Sequence, residues 1–423
     1  MTNKVKQRIE QIGRGEVPEG YKKTKLGVIP QEWEMTRLSK YLRVNNDKNN
    51  ALKYSKEDVF SISGELGIVN QIELLGRSYA GVSVAPYGIV YPNNIVYTKS
   101  PLKANPYGII KANKTGKTGI VSTLYAIYHC KDNTNASFVE HYFGLDLTLN
   151  NYLYPIVNIG AKHDMKISDE NALKGYVAFP SLIEQERIAE ILDTQDKLIA
   201  LKEKRIAEKK QQKKYLMQQL LTGKKRLPGF TGEWGQERLC DFCGFIGGGT
   251  PDTKCKEFWE GDIPWLSSSD IEEGNPFNIQ ISRYITREAI EKSATKICPQ
   301  GTILIVSRVG VGKIGLATRP LCTSQDFTNL LQTKHNNIYL IYALALLLQQ
   351  ISTAAQGTSI KGIPAQEIKK YVVQLPSIKE QQAIADILSQ ADKEIELLQK
   401  DLEEEKTKKK ALMQLLLTGI VRV

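Results

Sequence analysis

The chain has 423 residues, too many for one ordinary core and enough for two or three domains. Hydrophobic residues make up 41%, which excludes a disordered chain, and no run approaches the roughly 18 consecutive apolar residues of a membrane span. The 57 Lys and Arg exceed the 46 Asp and Glu, and the resulting formal charge of +11 suits a polyanionic partner, nucleic acid above all.

Residues 1–21 form a polar N-terminal extension without the apolar core of a secretion signal. The six cysteines are sparse and irregularly spaced, as expected of reduced thiols in a cytoplasmic protein. Residues 22–180 then read as one globular segment. Pro92 opens the strand-like Ile95 to Lys99, a helix-like SFVEHYFGL follows, and Asn158 to Ser168 form a polar glycine loop.

Residues 180–223 read PSLIEQERIAEILDTQDKLIALKEKRIAEKKQQKKYLMQQLLTG, and residues 376–419 repeat them at an offset of 196 with 24 of 44 positions identical. Each copy predicts a long helix, with Ser181 and Ser377 placed to cap the start and Gly223 and Gly419 placed to end it. Apolar residues recur in steps of four and three. The first seam runs Ile188, Leu192, Gln195, Ile199, Lys202, Ile206, Lys209, Lys213, Leu216, Leu220. The second runs Ile384, Leu388, Ala391, Ile395, Leu398, Leu402, Glu405, Lys409, Leu412, Leu416. Such a narrow stripe cannot be buried by one helix alone, so the two copies are each other's obvious partners; the lysines within it would cost stability if buried and would help to fix the register.

Between the copies, residues 228–376 repeat the plan of the first segment. Glu233-Trp234 with Leu239 matches Glu32-Trp33 with Leu38, Pro299 precedes a strand-like Thr302 to Arg308, and a helix-like IYLIYALALLL leads to the loop Ala355 to Pro364. The extension's KKTKLGVIPQEW resembles KKRLPGFTGEW at 224–234, as a fragment of a third repeat in a circularly arranged chain would. The expected organisation is an extension (1–21), a first globular domain (22–180), a central helix and linker (181–227), a second globular domain (228–376) and a C-terminal helix (377–423). The fold class is α+β, with mixed short strands rather than regular βαβ units.

Several strings look catalytic and fail on inspection. Asn105-Pro106-Tyr107 lacks the second proline of an adenine-methyltransferase motif, and no cofactor loop precedes it. Lys114 to Thr118 ends like a phosphate-binding loop, but Lys111 stands where its first glycine should be. Gly310, Gly312 and Gly315 match a dinucleotide fingerprint without its βαβ setting, and suggest instead a tight turn able to approach phosphate. Cys240 and Cys243 lack a second pair for zinc, and the four histidines (129, 141, 163, 335) suggest no triad. No catalytic residue, metal site or cofactor is expected.

Taken together, the paired PS-x-x-EQ…LLTG helices after two globular segments resemble the specificity subunit of type I restriction-modification enzymes. The resemblance covers nearly the whole chain and rests most firmly on PSLIEQERIAEIL, LMQQLLTGKKRLPGF, PSIKEQQAIADIL and LMQLLLTG. It implies two target recognition domains, each reading half of a split site in double-stranded DNA. It implies that the helices form an antiparallel coiled coil setting the gap, on which two methyltransferase (M) subunits dock, with restriction/translocase (R) subunits joining in the full complex. The alternative is a standalone DNA-binding coiled-coil protein needing no such partners. An antiparallel pair relates the two readers by a two-fold that matches the pseudo-symmetry of duplex backbone.

The DNA-contact candidates are the basic and hydroxyl residues of polar turns, where side chains and backbone NH groups approach phosphates or guanine edges. In the first domain they are Lys99, Ser100, Lys103, Lys111, Lys114, Lys117, Lys162, His163 and Lys166. In the second they are Arg308, Lys313, Arg319, Ser359 and Lys361. Residues 202–226 add ten Lys/Arg against two Glu, either a DNA-facing edge or a solvated helix face.

Overall fold

Apolar runs bounded by turn residues become central strands buried on both faces. A computed structural model describes residues 3–102, 104–159, 165–354 and 362–423. The chain divides into two compact units, Met1–Leu201 with Leu402–Val423, and Lys202–Asp401. Each long helix is therefore shared between the units.

In the first unit, the N-terminal helix α1 (Asn3–Gly13) precedes a four-stranded antiparallel sheet of β1 (Leu42–Val44), β2 (Ile95–Thr98), β3 (Ile109–Ala112) and β4 (Tyr125–Cys130), in the order β1-β4-β2-β3. The chain continues through α2 (Ala136–Phe143) into the long helix α3 (Leu182–Leu220). In the second unit, β5 (Cys243–Gly247), β6 (Ile303–Val306), β7 (Ile314–Leu316) and β8 (Phe327–Thr333) repeat that order as β5-β8-β6-β7. They lead through α4 (Asn337–Ala354) into the second long helix, α5 (Ile378–Leu417).

The alternation of a strand divides each core in the same way. Ile95 and Tyr97 of β2 join the cluster containing α2 and the long helices, whereas Val96 faces a smaller cluster with Phe60, Ile68 and Val121. In β6, Ile303 and Ile305 face the helices, and Leu304 and Val306 face Leu266, Ile271 and Phe327.

The helix starts are built identically. The Ser181 and Ser377 hydroxyls accept hydrogen bonds from the amides of Glu184 and Glu380, at 3.5 and 3.3 Å. Gln185 and Gln381 are fully buried. Gln185 accepts from the Asn135 amide that begins α2 and donates to the Pro180 carbonyl; Gln381 does the same with Asn336, at the start of α4, and Pro376. Each Glu is gripped by an arginine beyond the end of the other helix: Arg422 holds Glu184 and Arg226 holds Glu380, with Nη2–Oε2 distances of 2.8 Å in both. Arg422 and Arg226 are themselves 196 residues apart. Gly223 and Gly419 end the helices at φ +68° and +71°, and a side chain at 419 would strike Pro30 and Trp33.

The N-terminal extension is attached to the same end of the first unit. Arg8 donates to the carbonyl of Ile420, and the Tyr21 hydroxyl donates to the Gly419 carbonyl at 2.7 Å. The segment around Trp33 thus stands at Gly419 as Trp234 stands at Gly223.

Of the apolar seam residues, Ile188, Leu192, Ile206, Leu220, Ile384, Leu388, Ile395, Leu402 and Leu416 are buried, and Ile199, Leu216, Leu398 and Leu412 are half-buried. The polar positions are paired. In the second unit Lys202, Lys209 and Lys213 meet Asp401, Glu394 and Asp392, so one helix number falls as the other rises and the segments run antiparallel. In the first unit Asp196 meets Lys409, and Gln195 donates to Glu405. The Tyr342 hydroxyl adds a 2.6 Å hydrogen bond to Asp392.

Removing one member of a buried pair strands its partner, whereas replacing both by apolar groups does not. Asp392→Leu should destabilise the protein by about 3 kcal/mol, and adding Lys213→Met should recover most of that loss. A double-mutant cycle in urea unfolding checks this.

Candidate nucleic-acid interface

Two turns between paired strands carry some of the candidate side chains. The β2–β3 connection carries Lys99 and Ser100. The corresponding β6–β7 connection, residues 307–313, carries Arg308 and Lys313. Two candidate groups chosen from composition therefore occupy equivalent loops of two similar sheets.

Their electrostatic states differ. Arg308 is exposed and makes no ion pair among the described residues. Lys313 is half-buried and donates to the Ser268 carbonyl at 3.2 Å. Lys99 is bound to Asp169 at 2.6 Å, and Ser100 is exposed. Arg319 is exposed, 3.4 Å from the Tyr284 hydroxyl. Lys117 is exposed at the end of a turn that Asn113 stitches through Thr115 and the Lys117 carbonyl. Lys166 lies on the short strand Met165–Lys166, paired with Asn158. Lys103, Lys162, His163, Ser359 and Lys361 lie outside the described residues.

Lys111 and Lys114 are engaged internally. Lys114 lies 2.8 Å from Asp193 on α3 and 3.0 Å from Glu140 on α2, and Lys111 lies 3.9 Å from Glu140. Burial pulls the Lys111 ammonium below its ordinary range, with Glu140 opposing. For Lys114 burial acts the same way, but Glu140 and Asp193 outweigh it and raise the group. The Ser137 hydroxyl and His141 Nε2 also reach Asp193, at 2.7 and 2.9 Å. His141, Asp193 and Asp196 could each offer one metal-ligand atom, but Lys114 and Lys409 already supply positive charge to the two carboxylates. This cluster fastens the first globular core to the start of α3.

The rejected motifs have structural roles. Gly310 and Gly312, at φ +83° and +99°, turn an antiparallel hairpin, so no helix start follows to hold a dinucleotide. Asn105 is bound to Asp146 at 2.9 Å. Burial pushes the Cys298 and Cys322 thiols up to about 11 and about 12, which disfavours a reactive thiolate.

One polar group escaped the reading of the sequence. The Arg283 guanidinium lies 4.7 Å from the centre of the Trp265 ring and 2.6 Å from Asp270, and donates to the Ser267 hydroxyl; the carbonyl of the neighbouring Ser268 accepts from Lys313. The run Ser267–Ser269 before Asp270 was the available signal, since Ser267 and Asp270 form a capping box.

A family model, the type I restriction modification DNA specificity domain, matches residues 231–405. The chain is 33% identical over 170 residues to the MjaIX type I restriction enzyme specificity subunit of Methanocaldococcus jannaschii, and that match spans 39% of each chain. It is 26% identical over 444 aligned positions to a putative type I restriction enzyme specificity subunit, MjaX, of the same organism, covering 96% of this chain and 97% of that one. A chain solved for complex assembly and conformational transition of the type I R-M system shares the fold, with TM-score 0.56, 17% identity, and coverage of 93% of this chain and 99% of that one. The match to the DNA specificity domain thus falls on the second half of a duplicated fold. Along most of its length the chain is similar to specificity subunits of type I restriction-modification systems, and it spans 39% of the MjaIX subunit and 97% of the MjaX subunit.

Burial alone would raise the Asp193 carboxyl, yet hydrogen bonds from His141, Lys114 and Ser137 hold it well below the usual carboxylate range. A depressed carboxylate stabilises the fold above its unfolded pKa, near 4, and loses that contribution as pH falls towards the folded value. Asp193→Asn should therefore cost about 2 kcal/mol at pH 7. The gap to wild type should narrow below pH ~4, as read by urea unfolding at pH 7 and pH 3.5.

Proposed function

We propose that this chain is the non-catalytic DNA-reading subunit of a type I restriction-modification enzyme, each globular unit reading one half of a bipartite duplex target. The observation that carries the reading is the equivalence of the two β-sheet connections: same strand order, same position, and basic and hydroxyl residues in both. The duplicated long helices, outside the reading sheets, supply the surface on which two methyltransferase subunits dock, and restriction/translocase subunits join in the complete enzyme. Lys202, Lys209, Lys213 and Arg226 of the basic run are paired with carboxylates, which takes these four cations out of the charge available to DNA.

Exchanging residues 228–376 for the corresponding segment of another family member should change one half of the methylated sequence and leave the other intact. Base-resolution mapping of methylation in cells carrying the complete enzyme tests this, and a change in both halves overturns the division into two readers. At the level of one side chain, Arg308→Ala should weaken DNA binding several-fold. If Arg308 neutralises a phosphate, the log–log salt slope should flatten by about 0.9. Titrations between low and physiological salt measure both effects.

A further inference from the structure

The two units share a plan, so the places where they differ are the places where two readers would recognise different bases. The clearest difference follows a short helix present in both. In the first unit this helix, Gln71–Leu75, is capped by Asn70; in the second, Arg287–Glu291 is capped by Thr286. Sixteen residues then separate Leu75 from Pro92, but only seven separate Glu291 from Pro299. The first reader therefore carries nine additional residues.

That longer segment presents an unusual set of groups. The Arg77 guanidinium lies over the Tyr79 ring, 4.6 Å from its centre, and forms no salt bridge among the described residues. Tyr79 is 58% exposed, and Val82 is entirely exposed. The backbone beneath them is held firmly. Gln71 accepts a 2.6 Å hydrogen bond from the Tyr79 amide, and the Tyr87 hydroxyl accepts one from the Gly81 amide at 3.1 Å. Ala80 and Val84 are anchored in a cluster with Val59 and Ile120. A loop ordered in this way fixes an unpaired planar cation, an aromatic ring and a bare methyl pair in solvent, none of which its own fold uses.

We infer that residues 77–82 are a sequence-reading element of the first unit, with Arg77 addressing a guanine edge and Val82 an adjacent thymine methyl of duplex DNA. The inference rests on the DNA-reading function proposed above. A guanidinium already oriented by stacking presents its fork to the two acceptors of guanine with little further ordering, and an exposed branched side chain suits a thymine methyl. Lysine at position 77 would keep the charge and lose the fork.

The test is selection from a pool of randomised duplexes by the full-length chain, followed by affinity measurements on the selected site. Wild type should return two blocks. Arg77→Ala and Arg77→Lys should each relax one position in one block, weaken binding to the wild-type site about 10-fold, and leave the other block unchanged. Val82→Ala should relax a neighbouring position in that same block. These side chains are exposed, so thermal unfolding should be unaffected. Unchanged selection and affinity in all three variants overturns the inference. So does a uniform loss over every sequence, rescued by Arg77→Lys, which would make Arg77 a phosphate anchor. If wild type selects no sequence at all, the DNA-reading function fails and this inference with it; if wild type selects two blocks and the variants do not differ, only the inference fails.

Discussion

A helix of about forty residues with apolar groups along one side has nowhere of its own to put them. Every larger feature of this protein follows from how that stripe is covered. In each unit, part of one long helix lies antiparallel to part of the other, and the seam continues without interruption into a sheet core. Ile188 and Leu192 belong to the same cluster as β2, and Ile384 and Leu388 to the same cluster as β6. The first turn of each long helix is fixed by the buried glutamine that also receives the amide at the start of α2 or α4. The packing of each sheet core is consequently tied to the helix start.

The repeat was legible because both copies had to solve this same burial problem with the same residues. The offset of 196 that aligns the helices also aligns Glu184 with Glu380, Gln185 with Gln381 and Arg226 with Arg422, and each of these makes the same contact in its own unit. The helix caps, the seam and the α+β plan could all be read from spacing. The common strand order could not, because strand pairing joins residues such as Leu42 and Cys130 across long loops whose closure no local pattern records.

The candidate site was legible only in part. Lys114 and Arg308 both look like cations in polar turns. What separates them is a carboxylate 79 residues along the chain, Asp193, which only the packed core brings to Lys114. Conversely, Arg77 has no distinguishing local pattern, and its orientation over Tyr79 depends on a loop stitched by Gln71. Net charge indicates a polyanionic partner. It does not say which cations remain available after the fold has used its share.

The seam ion pairs also govern which helix can accept which. In the second unit, lysines of α3 face acids of α5: Lys202 faces Asp401 and Lys209 faces Glu394. The repeat offset converts those acids, on another copy of α3, into Arg205 and Leu198. An α3–α3 pair in this register would therefore set Lys202 against Arg205 and leave Lys209 facing a hydrocarbon. An α5–α5 pair would set Glu405 against Glu394, because Glu405 stands where Lys209 does. Each homotypic zipper would keep one ion pair, Lys213 with Asp196 or Lys409 with Asp392, but is penalised at the other positions by like charge or an unpaired ion, and only the unlike pair neutralises all of these lysines. Divergence at a few polar positions has thus turned a duplicated helix into two complementary strands of one lock, with self-association between equivalent halves disfavoured by charge.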